Sequence, residues 1–180
     1  FFAKWLADLA HDQTAEGGVP HVIPDILTGK CDNDRFLSHG RTHSSAAWAD
    51  AAVINPWTLY LMYGDTQTLA RQYGSMKAWV EFMRANAVDN MWSWKLQFGD
   101  WVALDAREGS YFGATPNELT CMAYYALSTQ LLAKSAKVLG HVEDAERYEE
   151  LHASIVDSFH REFFTPNGRL AARTQTAHIL

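Results

Sequence analysis

Cysteine is almost missing from this chain. Cys31, in a loop segment, and Cys121, in an apolar helical one, are the only two in 180 residues, and they have neither the spacing of a metal site nor an evident partner. They read as isolated buried or free thiols, a pattern that fits a reducing, cytoplasmic compartment without requiring one. Basic charge is also scarce. Fifteen Lys and Arg stand against 21 Asp and Glu, for a net charge of −6, and no basic stripe gathers them, which argues against nucleic acid as a partner. Apolar runs are short and interrupted, so no membrane span is expected. No basic-then-apolar leader precedes the body, but the chain is expected to begin inside structure, so this says nothing about export. There is no Gly-x-Ser-x-Gly elbow for nucleophilic serine chemistry and no glycine-rich loop for phosphates. No metal and no cofactor are expected.

What the chain does have is apolar and aromatic material: it is 48% hydrophobic, with seven Trp, enough for a substantial core. Phe2, Trp5, Leu6 and Leu9 recur at the helical period between Phe1 and Asp12, against Lys4, Asp8 and His11, predicting a helix buried on one side. From Ala46 to Tyr63 apolar residues surround the axis almost completely, as in an enclosed helix, with Pro56 expected to kink or restart it. Thr66 to Ala87 returns to a stripe of Leu69, Tyr73, Met76, Val80 and Met83. Asn117 to Leu139 again looks enclosed, and Val142 to Phe163 carries an acidic, solvated face. A further helix starts near Gln175. Only short extended pieces are expected, at Val19 to Ile23 and around the turn at Pro166-Asn167-Gly168.

This alternation of exposed and enclosed helices predicts an all-α fold, part of an (α/α) barrel in which an inner ring is wrapped by an outer one. The connections agree. Gly64-Asp65 and Gly140-His141 are minimal, whereas Gln13 to about Ala46 and Val88 to Pro116 are long. Loops beyond about 12–15 residues are unusual in compact domains and tend to carry function. On this topology the long ones share one rim.

Two Trp/Asp pairs, Trp48-Ala49-Asp50 and Asp100-Trp101, stand where those long loops meet helical segments. Indole faces stack on the C–H surface of a sugar ring, and carboxylates accept from its hydroxyls, so the pairs read as a sugar site. Trp48, Asp50, Asp100 and Trp101 are the candidate substrate-binding residues. Each Asp has an equal claim to capping or loop organisation. Glycoside hydrolysis needs two carboxyl groups, and Asp50 and Asp100 could nominally supply them. Trp5, Trp57 and Trp79 read as core. Asp105 and Glu108 sit in the second long loop, and Glu118 reads as stabilising a helix start. His39, Arg41 and His43 form a polar cluster whose spacing fits no helix-borne metal motif. A rival outside enzymes is a helical-repeat interaction scaffold, because Asn117 to Phe163 alone would pass for one hairpin of such an array; the long aromatic loops argue against it.

Several runs together carry a resemblance. They are Gly17-Gly18-Val19-Pro20-His21-Val22-Ile23-Pro24-Asp25, Trp48-Ala49-Asp50-Ala51-Ala52-Val53-Ile54-Asn55-Pro56-Trp57-Thr58-Leu59-Tyr60, Tyr63-Gly64-Asp65, Phe98-Gly99-Asp100-Trp101 and Arg173-Thr174-Gln175-Thr176-Ala177. In this order they resemble bacterial α-L-rhamnosidases of glycoside hydrolase family 78, over essentially the whole chain. The resemblance implies about half of an (α/α)6 catalytic barrel, truncated at both ends, and inverting hydrolysis of terminal α-L-rhamnose from a rhamnose-containing glycoside or oligosaccharide. Another (α/α)6 glycosidase with a different sugar preference is the alternative. It also implies that the general acid lies upstream of Phe1 and the general base downstream of Leu180, so that no catalytic residue is expected within these residues and the chain alone is expected to be inactive. Carried over by position, Trp48 and Trp101 look like the indoles lining the rhamnose subsite. The chain departs from the family pattern at Ala49, where Gly is common, at Asn55, where Val is common, and in a longer Lys30 to Ser45 loop.

Overall fold

The computed structural model describes residues 1–27 and 43–180. Six helices account for its regular structure: α1 (Phe2–Asp12), α2 (Ala51–Tyr63), α3 (Thr66–Asn86), α4 (Asn117–Leu139), α5 (Val142–Phe163) and the short α6 (Gln175–Ile179). Among the described residues, β-structure is limited to isolated antiparallel bridges at Val88 and Met91, Trp101 and Phe112, and Phe164 and Leu170. The last of these closes the hairpin expected around Pro166-Asn167-Gly168.

Helix ends follow local chemistry. Gly64 and Gly140 terminate α2 and α4 in the left-handed conformation, at φ 64° and 78°, which a side chain would resist. The Asp65 side chain opens α3 by accepting from the Thr68 amide at 2.8 Å and the Thr68 hydroxyl at 2.6 Å, satisfying a helix-start donor. The two-residue link Gly64-Asp65 between Tyr63 and Thr66 therefore reverses the chain without a longer loop.

α2 packs with α3, α4 with α5, and α3 with α4, so successive hairpins lie side by side. The core between them holds Leu69, Met76, Trp79, Met83, Trp92, Met122, Tyr125, Leu132 and Tyr148, all fully buried. At about 25 cal/mol per Å² of apolar surface, this burial is the main stabilising term.

The structure departs from the sequence reading in where α2 begins and in how far α2 and α3 are enclosed. α2 begins at Ala51 rather than Ala46, because residues 46–50 form a turn in which Ala47 adopts φ 68°. Of the kink or restart expected at Pro56, the restart does not occur, since the helix is continuous from Ala51 to Tyr63. Its enclosure is one-sided: Ala52, Val53 and Pro56 are buried, while Leu61, Met62 and Tyr63 are 58%, 69% and 79% exposed. The neighbours that this chain supplies, α1, α3 and α4, cover only part of its surface. α3 is in turn more enclosed than its stripe suggests, since Gln72 and Ser75 are buried as well. Ser75 donates to the Gln13 side-chain oxygen at 2.8 Å, so the end of α1 covers a face that would otherwise be wet.

Candidate functional site

The long connections meet on one rim and are tied together by hydrogen bonds. Ser44 N–H donates to the Val19 carbonyl at 2.8 Å, and Val19 N–H returns a bond to Ser44 Oγ at 3.1 Å. Gln97 Oε1 accepts from Ala46 N–H at 2.7 Å, and Phe98 N–H donates to Ser45 Oγ at 3.0 Å. The segments around residues 19, 45 and 98 thus form one platform although they lie far apart in the chain. Glycines permit the close approach. Gly17 has φ +97°, and a Cβ there would lie 2.3 Å from the Ala78 carbonyl oxygen of α3. A Cβ on Gly99, at φ +57°, would lie 2.0 Å from Asn117 Oδ1.

An aromatic array stands on this platform. Trp48, 41% exposed, stacks on Phe98 with ring centroids 4.2 Å apart. Trp101 meets the same Phe98 edge-on at 5.1 Å. Tyr111 stacks on Trp101 at 5.3 Å, and Phe112 packs edge-on against it. The two indoles named from the sequence are therefore neighbours across one phenylalanine, both on the rim. Such offset and edge-on pairs hold each ring's angle. Beside them opens a cavity of about 530 Å³ whose lining includes Asp105, Arg107, Phe112, Asn117 and Glu118.

The two aspartates are placed differently from one another. Asp50 is completely buried. Its Oδ1 accepts from Trp79 Nε1 at 2.9 Å and Ser128 Oγ at 2.5 Å, and its Oδ2 from Ala47 N–H at 2.8 Å. Burial pushes its carboxyl up to about 6, against the pull of these donors in the other direction. Asp100 is half-buried at the foot of Trp101. Its Oδ2 accepts from Thr115 Oγ1 at 2.9 Å, and Thr115 Oγ1 lies 2.6 Å from Thr174 Oγ1, which also caps Ala177 N–H at the start of α6. Asp100 is thereby coupled to the Arg173-Thr174-Gln175 segment.

His21 lies under the array, 4.9 Å from Phe98 and 6.2 Å from Trp48, edge-on to both. It is buried, and among the described residues neither ring nitrogen has a hydrogen-bond partner. Burial, with His43 nearby, lowers its pKa to about 4, so the ring is neutral.

Of the other candidates, His43 bonds Ser44 Oγ through Nδ1 at 2.6 Å, while His39 and Arg41 lie outside the described residues, as does Cys31. Asp105 accepts from Ala114 N–H at 3.1 Å and so organises its own loop. Glu108 is exposed, and Glu118 sits exposed in the first turn of α4. Cys121 is buried, and burial pushes its thiol up to about 12, which leaves it inert. Trp79 is core, as expected, yet its indole N–H also serves Asp50. Sequence reasoning gave no site role to Phe98 or His21, which it named only within longer motifs, and did not name Ser128. Phe98 could have been given one, since it adjoins Gly99-Asp100-Trp101; Ser128, mid-helix among apolar residues, offered no signal. Among the described residues no group of His, Cys, Asp and Glu could hold a metal ion, and no helix is long and apolar enough to cross a membrane.

Comparison with known proteins adds three findings. The model of the bacterial alpha-L-rhamnosidase 6 hairpin glycosidase domain matches residues 1–180. An alpha-L-rhamnosidase of Formosa agariphila is 34% identical over 182 residues, a match covering 100% of this chain and 18% of that protein. Two solved structures share the fold: Streptomyces avermitilis alpha-L-rhamnosidase complexed with L-rhamnose, with TM-score 0.80 at 30% identity over 98% of this chain and 15% of that one, and native α-L-rhamnosidase from Aspergillus terreus, with TM-score 0.82 at 30% identity over 97% and 19%. The helices are thus part of an (α/α)6 toroid, and the chain spans less than a fifth of these relatives' length.

Proposed function

This chain belongs to the bacterial α-L-rhamnosidase six-hairpin glycosidase family, and from that premise we propose that it is the part of an inverting α-L-rhamnosidase catalytic domain that builds the aromatic wall of the sugar subsite. The observation that carries this reading is the meeting of Trp48 and Trp101 on Phe98, at the rim where the long loops converge. A terminal α-L-rhamnose presents apolar C–H faces and a methyl group to such rings, and its hydroxyls to polar groups beside them. The Streptomyces avermitilis relative complexed with L-rhamnose supports the choice of sugar.

Stacking orients the ring but does not break the bond. An acetal at neutral pH needs an acid for the departing oxygen and a base to activate water on the opposite face, about 6.5–9.5 Å apart in an inverting enzyme. We assign both groups to parts of the enzyme outside residues 1–180. Asp50, buried among its donors, and Asp100, tied to Thr115, act on the shape of the wall.

The test is direct. The purified 180-residue chain should leave aryl α-L-rhamnosides intact, while the full-length enzyme cleaves them in preference to other aryl glycosides. Hydrolysis by the chain alone, abolished by Asp50→Asn or Asp100→Asn, would make those aspartates the catalytic pair. Preference of the full-length enzyme for another sugar would favour a different (α/α)6 glycosidase activity.

A further inference from the structure

We propose that Asp50 is a positioning residue for Trp48, its buried carboxylate fixing the turn that lifts the indole to the rim. The inference rests on the reading of Trp48 as part of the sugar wall and deepens it.

The turn needs such a device. Ala47 has φ 68° and Ser44 has φ 68°, a conformation that costs a residue with a Cβ and persists only where surroundings impose it. Ala47 N–H donates to Asp50 Oδ2 at 2.8 Å, closing a ring across Trp48 and Ala49. Within that ring Ala49 is 1% exposed and Trp48 is 41% exposed, so the turn turns one side chain inward and its neighbour outward. The other carboxylate oxygen reaches elsewhere, to Trp79 of α3 and Ser128 of α4. Trp48 is therefore referenced to two packed helices as well as to its own loop.

The choice of residue is informative. Burying a carboxylate completely is expensive, and an apolar side chain would fill the space without that cost. What an apolar side chain cannot do is accept from Ala47 while gripping α3 and α4 with its other oxygen.

The two oxygens have separate partners, so they can be separated by mutation in the full-length enzyme. Asp50→Asn keeps an oxygen for Trp79 and Ser128 but turns an amide donor on Ala47 N–H. Ser128→Ala removes a donor from Oδ1 and leaves the Ala47 bond in place. Asp50→Asn should raise KM for an aryl α-L-rhamnoside by about tenfold or more and alter acrylamide quenching of Trp48, read as the difference from a Trp48→Phe background; Ser128→Ala, at a similar loss of Tm, should change KM by less than about threefold. If KM follows Tm in both variants, or if Asp50→Asn alters neither KM nor quenching, the proposal fails. Should Trp48→Phe leave KM unchanged, the sugar-wall reading is at fault, and the quenching comparison alone judges Asp50. If Asp50→Asn does not fold, hydrogen exchange at the Ala47 amide of the unsubstituted enzyme decides: strong protection is expected, and exchange as fast as an open loop overturns the assignment.

Discussion

Asp50 and His21 lie beneath the same aromatic wall and respond to acid in opposite directions. The folded Asp50 carboxyl titrates near 6 against 3.8 when free, so the folded state holds that proton more tightly. Its contribution to stability is complete below about 3.8 and is lost as pH rises through 6, a difference of about 3 kcal/mol. The His21 pKa falls from 6.5 to about 4, so its contribution is complete above 6.5 and is lost as pH falls through 4. The two offset each other between pH 4 and 6.5. His21→Phe should therefore gain stability, relative to the unsubstituted protein, as pH drops from 7 to 4.5, and Asp50→Asn should lose it. Urea midpoints at both pH values test this; a His21→Phe variant that tracks the unsubstituted protein would mean the ring is not held neutral. At the wall itself, Trp101→Ala in the full-length enzyme should lower kcat/KM by roughly 1–3 kcal/mol of transition-state binding, on the scale of losing an aromatic contact and its excluded water. An unchanged kcat/KM would remove Trp101 from the site.

At the scale of elements, the rim depends on glycine where the chain is both left-handed and crowded. Gly99 joins a left-handed φ to a contact in which any Cβ would overlap Asn117 Oδ1 at the start of α4. Gly99→Ala should destabilise the fold by roughly 1–3 kcal/mol. Adding Asn117→Ala removes the overlap but not the strain, so the double variant should recover only part of the loss. Full recovery would assign the whole effect to the overlap; no recovery would assign it to the backbone. The helices themselves were legible because their apolar periods and glycine stops are local. The start of α2 was not, because Ala47 and Asp50 form a turn through a side-chain bond that periodicity does not register.

On the scale of the molecule, α2 leaves Leu61, Met62 and Tyr63 largely exposed, and Phe1 and Phe2 are 94% and 54% exposed. In a toroid an inner helix has neighbours on both flanks, and this chain supplies α2 with only some of them. The isolated chain should bind an apolar dye and unfold with low cooperativity. Leu61→Glu should leave that chain no less stable, while in the full-length enzyme it should be destabilising because the same face is covered there. A cooperative, monomeric thermal transition without dye binding would contradict this picture.

Sequence alone determined the helical order, the short and long connections, the rim that carries the indoles and the family. All of these rest on local periodicity or on contiguous motifs. Tertiary structure decided what the aspartates do. Trp48-Ala49-Asp50 and Asp100-Trp101 look equivalent as strings, yet Asp50 is sealed between α3 and α4 and Asp100 stays half-buried on a threonine relay. Their burial depends on Trp79, Ser128, Thr115 and Thr174, which come from distant parts of the chain, and no local pattern encodes which oxygen meets which donor.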